Sequence, residues 1–426
     1  MLYYFIRPFA RLTFQMLYRN VRFKGMENIP KGVPVIFAVN HPSAFLEPCL
    51  MATWLPKSLS FIVRGDLFKT KFKRMLLASI HLVPMFRVKD GGLNVVKNNF
   101  ESIRYVVEYL LKKKWLMILA EGHITPERRM GKMKKGTARI AFGTLDKRPN
   151  CGLRIVPVGA NFTNQDELGT EVHFTIGESI RVADYYEIYE EHNNRGIMKL
   201  TEVIGRELEK TLIQIPNEMD DNLTESVLDV HNKLNPVGVD KRFDDRVEVQ
   251  KDLCLAISVL NDEEKQEMGS KVKTLNEAVE KYGLGLMPFS NEVSVRWFVI
   301  LLYYILMPFG LLVSVPYFFA KWVNSKIKIV DTFITSVFFA SVMGAGILFF
   351  ATTMVLAAIY IPFGAIYMII ILNLGLLFKR FRYLYKDELN KIKFKGLNLE
   401  TRLTILDQIQ DMDRAFENLK RKYDTV

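Results

Sequence analysis

A histidine and a carboxylate lie close together in the stretch that follows an apolar run near the N-terminus. The run covers residues 33–39, Asn40 and His41 come directly after it, and Glu47 follows six residues after the histidine. An apolar run of this kind predicts a buried strand. A histidine and an acid in one loop at a strand end could form a general base and its orienting partner. The alternative is a polar loop that caps the helix predicted to begin at Pro48.

The prolines next to these two residues restrict the backbone. His41 precedes Pro42 and Glu47 precedes Pro48, and a residue before proline is disfavoured in helical geometry. We therefore expect both residues in a loop that folds back on itself. Glu47 could then accept a hydrogen bond from the imidazole Nδ1–H and fix the tautomer, which leaves Nε2 free to take a proton.

Strand and helix patterns alternate along the part of the chain that contains this loop. Such alternation predicts an α/β fold in which helices cover both faces of the sheet. The loop would then lie at the end of one of the inner strands. The predicted strands cover residues 33–39, 60–64, 83–88, 115–120 and 153–158, and the clearest helices cover 48–54, 68–82 and 94–113.

Composition restricts the class of partner. The chain has 426 residues and a net charge of +12, so it favours a polyanion. Long apolar runs favour a membrane as that partner, and a nucleic-acid role is not predicted because the positive charge is spread and no binding motif is present. The three cysteines, at 49, 151 and 254, have no metal-ligand spacing and suggest no disulfide framework. We therefore predict a reducing compartment and no metal site.

Three further blocks follow the His41 loop in order. The second block joins Phe61–Arg64 with Val83–Arg87, the third contains Glu121 and Gly122, and the fourth is Ile155–Val158. Together with the first block they resemble the motifs of the glycerol-phosphate and lysophosphatidate acyltransferase family. The resemblance covers roughly residues 20–215 and implies an acyltransferase-type mixed sheet flanked by helices.

The resemblance and the strand ends suggest roles for the residues of these blocks. His41 would be the catalytic base and Glu47 its partner. The guanidinium groups of Arg64 and Arg87 could clamp an acceptor phosphate, although each could also be a surface salt bridge. Glu121 could hydrogen-bond the glycerol or organise the arginines, and Gly122 would let the backbone turn sharply; a simple strand-end turn is the alternative.

The sequence departs from the family pattern at three points. The family usually has an aspartate and one residue fewer between it and the histidine, where this chain has Glu47. Ala120 stands where proline is usual, and His123 and the following isoleucine replace a common Thr-Arg pair. The missing arginine could be supplied by Arg128 or Arg129, in a basic loop that could meet headgroups, coenzyme A phosphates or an acyl-carrier protein.

The chemistry that this implies is a direct transfer. A glycerol hydroxyl is a poor nucleophile until its proton is removed, and the acyl donor would be a thioester, as acyl-CoA or acyl-carrier protein. No enzyme nucleophile and no cofactor beyond this co-substrate are required, and no Gly-x-Ser-x-Gly elbow is present. The helix N-terminus at Pro48 and nearby amides could stabilise the oxyanion.

The C-terminal half contains the membrane region. Residues 332–378 carry no charge and are about twice the ~20 residues that one span needs, so a helical hairpin is predicted. Residues 298–320 are also uncharged but contain Pro308 and Pro316. We expect a broken, re-entrant or interfacial helix there, with a full span as the alternative. Basic residues on both sides of the hairpin predict a multi-pass protein whose catalytic domain faces the cytoplasm.

The remaining segments are predicted to be helical. Residues 1–20 carry three arginines among apolar residues, as in a membrane-interface helix or an ordinary packing helix. Residues 217–290 are densely charged and lack strand patterns. The predicted organisation is an interface helix at 1–20, an acyltransferase domain at 21–216, a helical accessory segment at 217–290, a membrane region at 297–378 and a polar helical tail at 383–426.

These features predict a membrane-bound enzyme that acylates lysophosphatidate or glycerol 3-phosphate in phospholipid biosynthesis. Acylation of another lysolipid, such as an amino-acid lipid, is an alternative within the same class. A non-catalytic scaffold that binds anionic lipids is the alternative from a different class. The other histidines show no ligand pattern and are predicted to be structural or surface residues; they are His81, His123, His173, His192 and His231.

Overall fold

A computed structural model describes most of the chain. Two compact units are present, one formed by Met1–Leu212 with Val323–Gly344 and the other by Ile213–Trp322 with Ala345–Val426. Each unit is described separately below. The described residues are 2–85, 99–164, 169–235, 246–290, 293–328 and 333–424.

The first unit is built around a mixed sheet. Its strands pair in the order β1-β7-β6-β2-β5-β3-β4, and β8 pairs with β6. The pairs of β6 with β7 and β8 are antiparallel, and the other neighbours are parallel. The strands are β1 (Asn20–Lys24), β2 (Val35–Val39), β3 (Leu59–Arg64), β4 (Leu82–Met85), β5 (Trp115–Leu119), β6 (Arg154–Phe162), β7 (Glu171–Ile176) and β8 (Ile180–Arg181).

Helices flank the sheet, so the predicted fold class is confirmed. Every residue of β2 is buried, as expected for an inner strand that is covered on both faces. The apolar core on one face includes residues of α4, α5 and α7. The helices of this unit are α1 (Leu2–Leu17), α2 (Leu46–Trp54), α3 (Lys71–Ser79), α4 (Asn99–Leu111), α5 (Gly136–Lys147), α6 (Tyr186–Glu191) and α7 (Asn193–Glu209).

The helix predicted over 68–82 is shorter in the structure. A single 3-10 turn covers Gly65–Phe68, and α3 begins only at Lys71, where Thr70 caps it by accepting a hydrogen bond from the Lys73 amide. The threonine side chain competes for the backbone amide and so sets the helix start. The strand predicted over 83–88 is described only to Met85, because its last residues lie outside the described part of the chain.

The first helix packs against the sheet domain through two of its arginines. Arg7 donates hydrogen bonds to the carbonyls of Thr53 and Leu55 at the end of α2, and the Arg11 guanidinium lies 5.3 Å from the ring centre of Trp54. Arg7 thereby satisfies carbonyls that a helix C-terminus leaves without partners. The packing-helix interpretation therefore describes this face of α1.

The second unit is helical. The helices α8, α9, α10 and α15 share one apolar core, to which α15 contributes Ile405, Ile409 and Met412. The accessory segment and the tail, which the sequence analysis treats separately, are therefore parts of one bundle. The helices of the second half are α8 (Asp221–Leu234), α9 (Arg246–Ser258), α10 (Asp262–Lys281), α11 (Trp297–Val313), α12 (Val315–Asn324), α13 (Ile334–Tyr360), α14 (Gly364–Lys395) and α15 (Leu399–Asp424).

Two helices of the described chain, α13 and α14, are long and apolar enough to cross a membrane. They cover the residues over which the hairpin is predicted, and Gly364 opens α14 where a side chain would collide with the carbonyl of Ala357. The pair α11 and α12 is bent by 52° and would count as a third span if it crossed as one unit. In the second unit α11 lies along α14, where the rings of Tyr303 and Tyr385 stack at 3.9 Å.

Candidate active site

The ends of two neighbouring strands bring the first and third sequence blocks together. In the sheet register, Val39 of β2 lies opposite Leu119 of β5. His41 and Glu121 each follow these positions by two residues, so they leave the sheet at the same level and the same edge. Carboxyl ends of parallel strands form the usual ligand-binding edge of an α/β sheet.

His41 and Glu47 face each other in this edge loop. The His41 Nδ1 lies 3.7 Å from Glu47 Oε1, and the side chains are 11% and 0% exposed. This distance exceeds that of a hydrogen bond, and the buried Nδ1 has no hydrogen-bond partner among the described residues. Catalytic hydrogen bonds are often long before substrate binds. Because Nδ1 is buried, the exposed part of the ring lies elsewhere. Nε2, on the far side of the ring from Nδ1, is therefore the nitrogen suited to proton transfer.

Glu47 lies in a helix and not in the loop where the sequence analysis expects it. Helix α2 begins at Leu46, so Glu47 occupies its first turn, followed by Pro48. The expectation was wrong about the backbone because the first-turn amides need no partner within the helix. Proline is therefore tolerated there, and the residue before it can adopt helical geometry. The consequence is a carboxylate on a rigid element.

Ser43 orients this carboxylate from within the loop. Its backbone amide donates a hydrogen bond to Glu47 Oε1 at 2.5 Å, and its hydroxyl donates to Oε2 at 3.1 Å. Both carboxylate oxygens are thereby held while Oε1 faces the histidine. The sequence alone assigns Ser43 no role, because Phe45 and not Ser43 lies at the N-cap of α2 and the contact with Glu47 follows from the fold of the loop.

Asn40 and Thr125 hold the histidine backbone. The Asn40 side chain donates to the carbonyl of Ala160 at 3.1 Å and accepts from its amide at 2.7 Å. The Thr125 amide donates to the His41 carbonyl at 2.8 Å. Neither residue was singled out for a role in the sequence, since their partners lie far along the chain. The amides of Ser43 and Phe45 are also engaged, the latter with the Ser336 hydroxyl at 3.3 Å, so they do not serve as free oxyanion donors.

Glu121 is buried beneath the loop that follows β5. Burial raises the pKa of its carboxyl, and the Thr125 hydroxyl, the Gly131 amide and the nearby His41 and His123 partly oppose this rise. Such surroundings suit a carboxyl that organises the loop beside His41. Gly122 has a φ of +68°, which only glycine adopts readily, and it turns the chain sharply at this point.

The two arginines of the second block differ in what can be described. Arg64 ends β3, two strands away from β2, and its guanidinium forms a two-pronged contact with Asp66 at 3.1 and 2.7 Å. Its side chain is 54% exposed, so the contact is a surface ion pair that a phosphate could replace. Arg87 lies outside the described residues.

The basic loop lies next to the same edge. Arg128 donates a hydrogen bond to the carbonyl of Thr163, just after β6, at 2.8 Å. A side chain on Gly131 would lie within 2.7 Å of the Thr125 hydroxyl and 2.9 Å of Glu121 Oε2, so this loop closes directly over Glu121. The arrangement brings together a histidine, an oriented carboxylate and cationic side chains at one sheet edge. That combination can remove a proton from a hydroxyl next to an anionic group.

Parts of the chain are similar to known proteins. Residues 20–161 match the family model described as Acyltransferase. The chain is 23% identical over 187 residues to glycerol-3-phosphate O-acyltransferase 1 of Saccharomyces cerevisiae, covering 41% of this chain and 24% of that protein. The chain thus spans about a quarter of that relative's length. A crystal structure of the 1-acyl-sn-glycerophosphate acyltransferase PlsC from Thermotoga maritima aligns with a TM-score of 0.35 and 20% identity, over 49% of this chain and 78% of that one. The segment of residues 20–161, which carries the His41 loop, is therefore similar to the acyltransferase family.

Proposed function

We propose that this protein is a membrane-bound glycerolipid acyltransferase. It transfers a fatty acyl group from an acyl thioester to a hydroxyl of lysophosphatidate or glycerol 3-phosphate. The observation that carries the proposal is the His41 ring at the sheet edge, with its buried Nδ1 turned to the fixed carboxylate of Glu47. The family match over residues 20–161 supports the same reaction class.

In the proposed reaction His41 is a general base. Its Nε2 takes the proton of the acceptor hydroxyl as the oxygen attacks the thioester carbonyl, and Glu47 stabilises the imidazolium that forms. The tetrahedral intermediate then expels the thiolate, which takes the proton back from His41. A thiol has a pKa of about 8.5, so the leaving group needs little help from an acid. The products are the acylated glycerolipid and the free thiol, and no cofactor beyond acyl-CoA or acyl-carrier protein takes part.

The acceptor phosphate is proposed to bind on the β3 side of the edge. Strands lie about 4.8 Å apart, so the end of β3 is roughly 10 Å from that of β2. A long arginine side chain bridges such a distance. Arg64 would exchange Asp66 for the phosphate, and Arg87 is proposed as its neighbour in the clamp. Guanidinium can make the same bidentate contact with phosphate, and an exposed ion pair with a carboxylate is worth little, so the phosphate can displace Asp66.

The start of the hairpin suggests why the enzyme would be anchored. In the first unit the ring of Phe339, near the start of α13, stacks on Phe14 of α1 at 4.0 Å, and Ser336 accepts the hydrogen bond from the Phe45 amide. The apolar helix therefore begins beside the loop that holds His41 and Glu47. We propose that the acyl chain runs from this loop along α13 toward the bilayer. We also propose that the protein is multi-pass and that its catalytic domain faces the cytoplasm, because basic residues flank the two apolar helices on both sides.

A product assay tests the proposal. The full chain is reconstituted in nanodiscs and given lysophosphatidate, glycerol 3-phosphate, a lysolipid with another headgroup and monoacylglycerol, each with acyl-CoA or acyl-carrier protein as donor. We expect acylation of at least one phosphorylated glycerol acceptor and none of monoacylglycerol. His41→Ala should remain in the nanodisc and lose the reaction.

The outcomes separate the alternatives. Acylation only of a lysolipid with another headgroup would reject the phosphorylated glycerol acceptor while keeping the acyltransferase. If wild type acylates nothing in the panel and still binds anionic lipid, the scaffold alternative replaces the enzyme.

A further inference from the structure

The short helix α3 presents a basic and apolar surface to solvent. None of its nine described residues is buried. Phe72 is 67% exposed, Met75 66% and Leu76 39%. Large apolar side chains of this kind, adjacent on one short helix, indicate an interaction site.

The residues of α3 are arranged as in helices that lie on membranes. Phe72, Met75 and Leu76 share one face because residues three and four apart are neighbours on a helix. Lys71 and Lys73 flank this face on its two sides. Long basic side chains in these positions reach the headgroups while the apolar side chains enter the acyl region.

Charge also favours an anionic partner. Lys69 and Arg74 add two further positive charges, and no acid occurs between residues 67 and 89. Each basic residue close to an anionic leaflet strengthens its binding about fivefold. An acidic protein would satisfy the charges, but it would leave the exposed apolar face without a hydrocarbon environment.

The position of α3 within the first unit points to a membrane as the occupant. His81, two residues after α3, stacks on Tyr3 at the start of α1 with ring centres 4.6 Å apart. Phe14, near the end of α1, stacks on Phe339 of α13 at 4.0 Å. The two contacts on α1 are about 16 Å apart along the helix axis. Tyr4 and Phe5 on α1 are themselves 59% and 58% exposed. The segment that carries α3 and the start of the apolar helix α13 thus both pack against α1.

We propose that the face of α3 formed by Phe72, Met75 and Leu76 inserts into the headgroup region of an anionic leaflet, with Lys71 and Lys73 on the lipid phosphates. The docked helix gives the catalytic domain a second contact with the bilayer besides the hairpin. The ligand is a lipid surface, and the proposal does not depend on the acyl-transfer reaction.

Quenching by brominated lipid tests the depth of α3. The variant Phe72→Trp is reconstituted as full chain in nanodiscs of phosphatidylcholine and phosphatidylglycerol, and its emission is compared with that of the parent chain. We expect brominated phosphatidylcholine to lower the emission added by the new tryptophan about twofold or more, as for a side chain at the headgroup boundary. The control is Met198→Trp on α7, a position that is 58% exposed and whose adjacent lysine, Lys199, is paired with Glu202, and it should not be quenched.

Charge reversal separates lipid contact from other causes. Adding Lys71→Glu and Lys73→Glu to Phe72→Trp should abolish most of the quenching, and high salt should weaken it in the unreversed variant. The proposal is overturned if the new tryptophan is quenched no more than the control. It is also overturned if the emission responds to added acyl-carrier protein and not to brominated lipid, which would make α3 a protein-docking surface. Neither readout requires activity, so an inactive enzyme would still decide the question.

Discussion

Two buried histidine–glutamate pairs lie in the same unit and differ in what surrounds them. In the edge loop, His41 Nδ1 is 3.7 Å from Glu47. Within strand β7, His173 Nε2 is 3.5 Å from Glu171. The distances are similar and all four side chains are largely buried. The distance between the ring nitrogen and the carboxylate oxygen therefore does not distinguish the two pairs.

The ring nitrogen that faces the acid distinguishes them. Glu47 faces Nδ1, the nitrogen nearer the backbone, so Nε2 points away from the carboxylate. Glu171 takes up Nε2, and that atom of His173 is buried. A general base needs its far nitrogen open to substrate while the near one is held by a partner. The first pair has its near nitrogen toward the acid, as this requirement demands, and the second pair has the reverse orientation.

The backbone explains the difference. Glu171 and His173 are two residues apart in a strand, so both side chains project from the same face. Strand β7 is paired on both sides, with His173 opposite Arg22 and Asn161. His41 lies instead beyond the last residue of β2, where its carbonyl accepts a hydrogen bond from the Thr125 amide of the loop after β5. The comparison predicts that a histidine at a strand end can act as a base, whereas a histidine inside a strand is held next to its acid as part of the packed sheet.

The largest expected difference between the two pairs appears when each histidine is replaced. His41→Gln should lower kcat for acyl transfer by roughly 10²–10⁴-fold, the usual contribution of a general base. His173→Gln should leave kcat within a small factor and lower the melting temperature, because it disturbs a buried polar pair worth about 1–3 kcal/mol. Transfer rates and thermal unfolding of both variants in nanodiscs provide the measurement. Equal losses of kcat would remove the distinction drawn here.

The next largest effect concerns the acids. Glu47→Gln should lower kcat by about 10²-fold with little change in KM, because the neutral amide no longer stabilises the imidazolium. Ser43 still donates to the amide oxygen, so the side chain keeps its place. The matched change Glu171→Gln should affect stability alone. Full activity of Glu47→Gln would reject Glu47 as the partner while leaving His41 as the base.

The local pattern of the sequence predicts part of this site for a physical reason. An apolar strand that ends in a polar dipeptide places His41 at the sheet edge, because burial fixes both the strand and its end. The contact of Asn40 with Ala160 spans 120 residues and follows from the strand order, which no local pattern encodes. The helical position of Glu47 was missed because the rule for residues before proline weakens in the first turn of a helix.

A smaller effect distinguishes the residues that hold the two acids. Ser43 donates to Glu47, and Asn20 donates to Glu171 at 2.9 Å. Ser43→Ala removes one of the two hydrogen bonds from Ser43 to the Glu47 carboxylate, so we expect kcat to fall by up to about tenfold. Ser43→Thr keeps the hydroxyl and should restore most of the rate, whereas Asn20→Ala should not change kcat. A rate unchanged in Ser43→Ala would mean that the Ser43 amide alone orients Glu47.

The smallest expected effect comes from a further carboxyl that lies close to His41. Burial raises the pKa of Glu121 above its usual value of 4.5, so the folded chain holds a proton that the unfolded chain releases. Stability contributed by this group is present below that value and is lost as the pH rises through the raised folded pKa. Glu121→Gln should therefore be more stable than wild type at pH 8, and this advantage should shrink toward pH 4. Melting temperatures over this pH range provide the measurement, and the exposed Glu187→Gln corrects for the loss of one negative charge. An advantage that does not change with pH would show that Glu121 binds the same number of protons in the folded and the unfolded chain. Burial beside His41 would then not shift the pKa of Glu121.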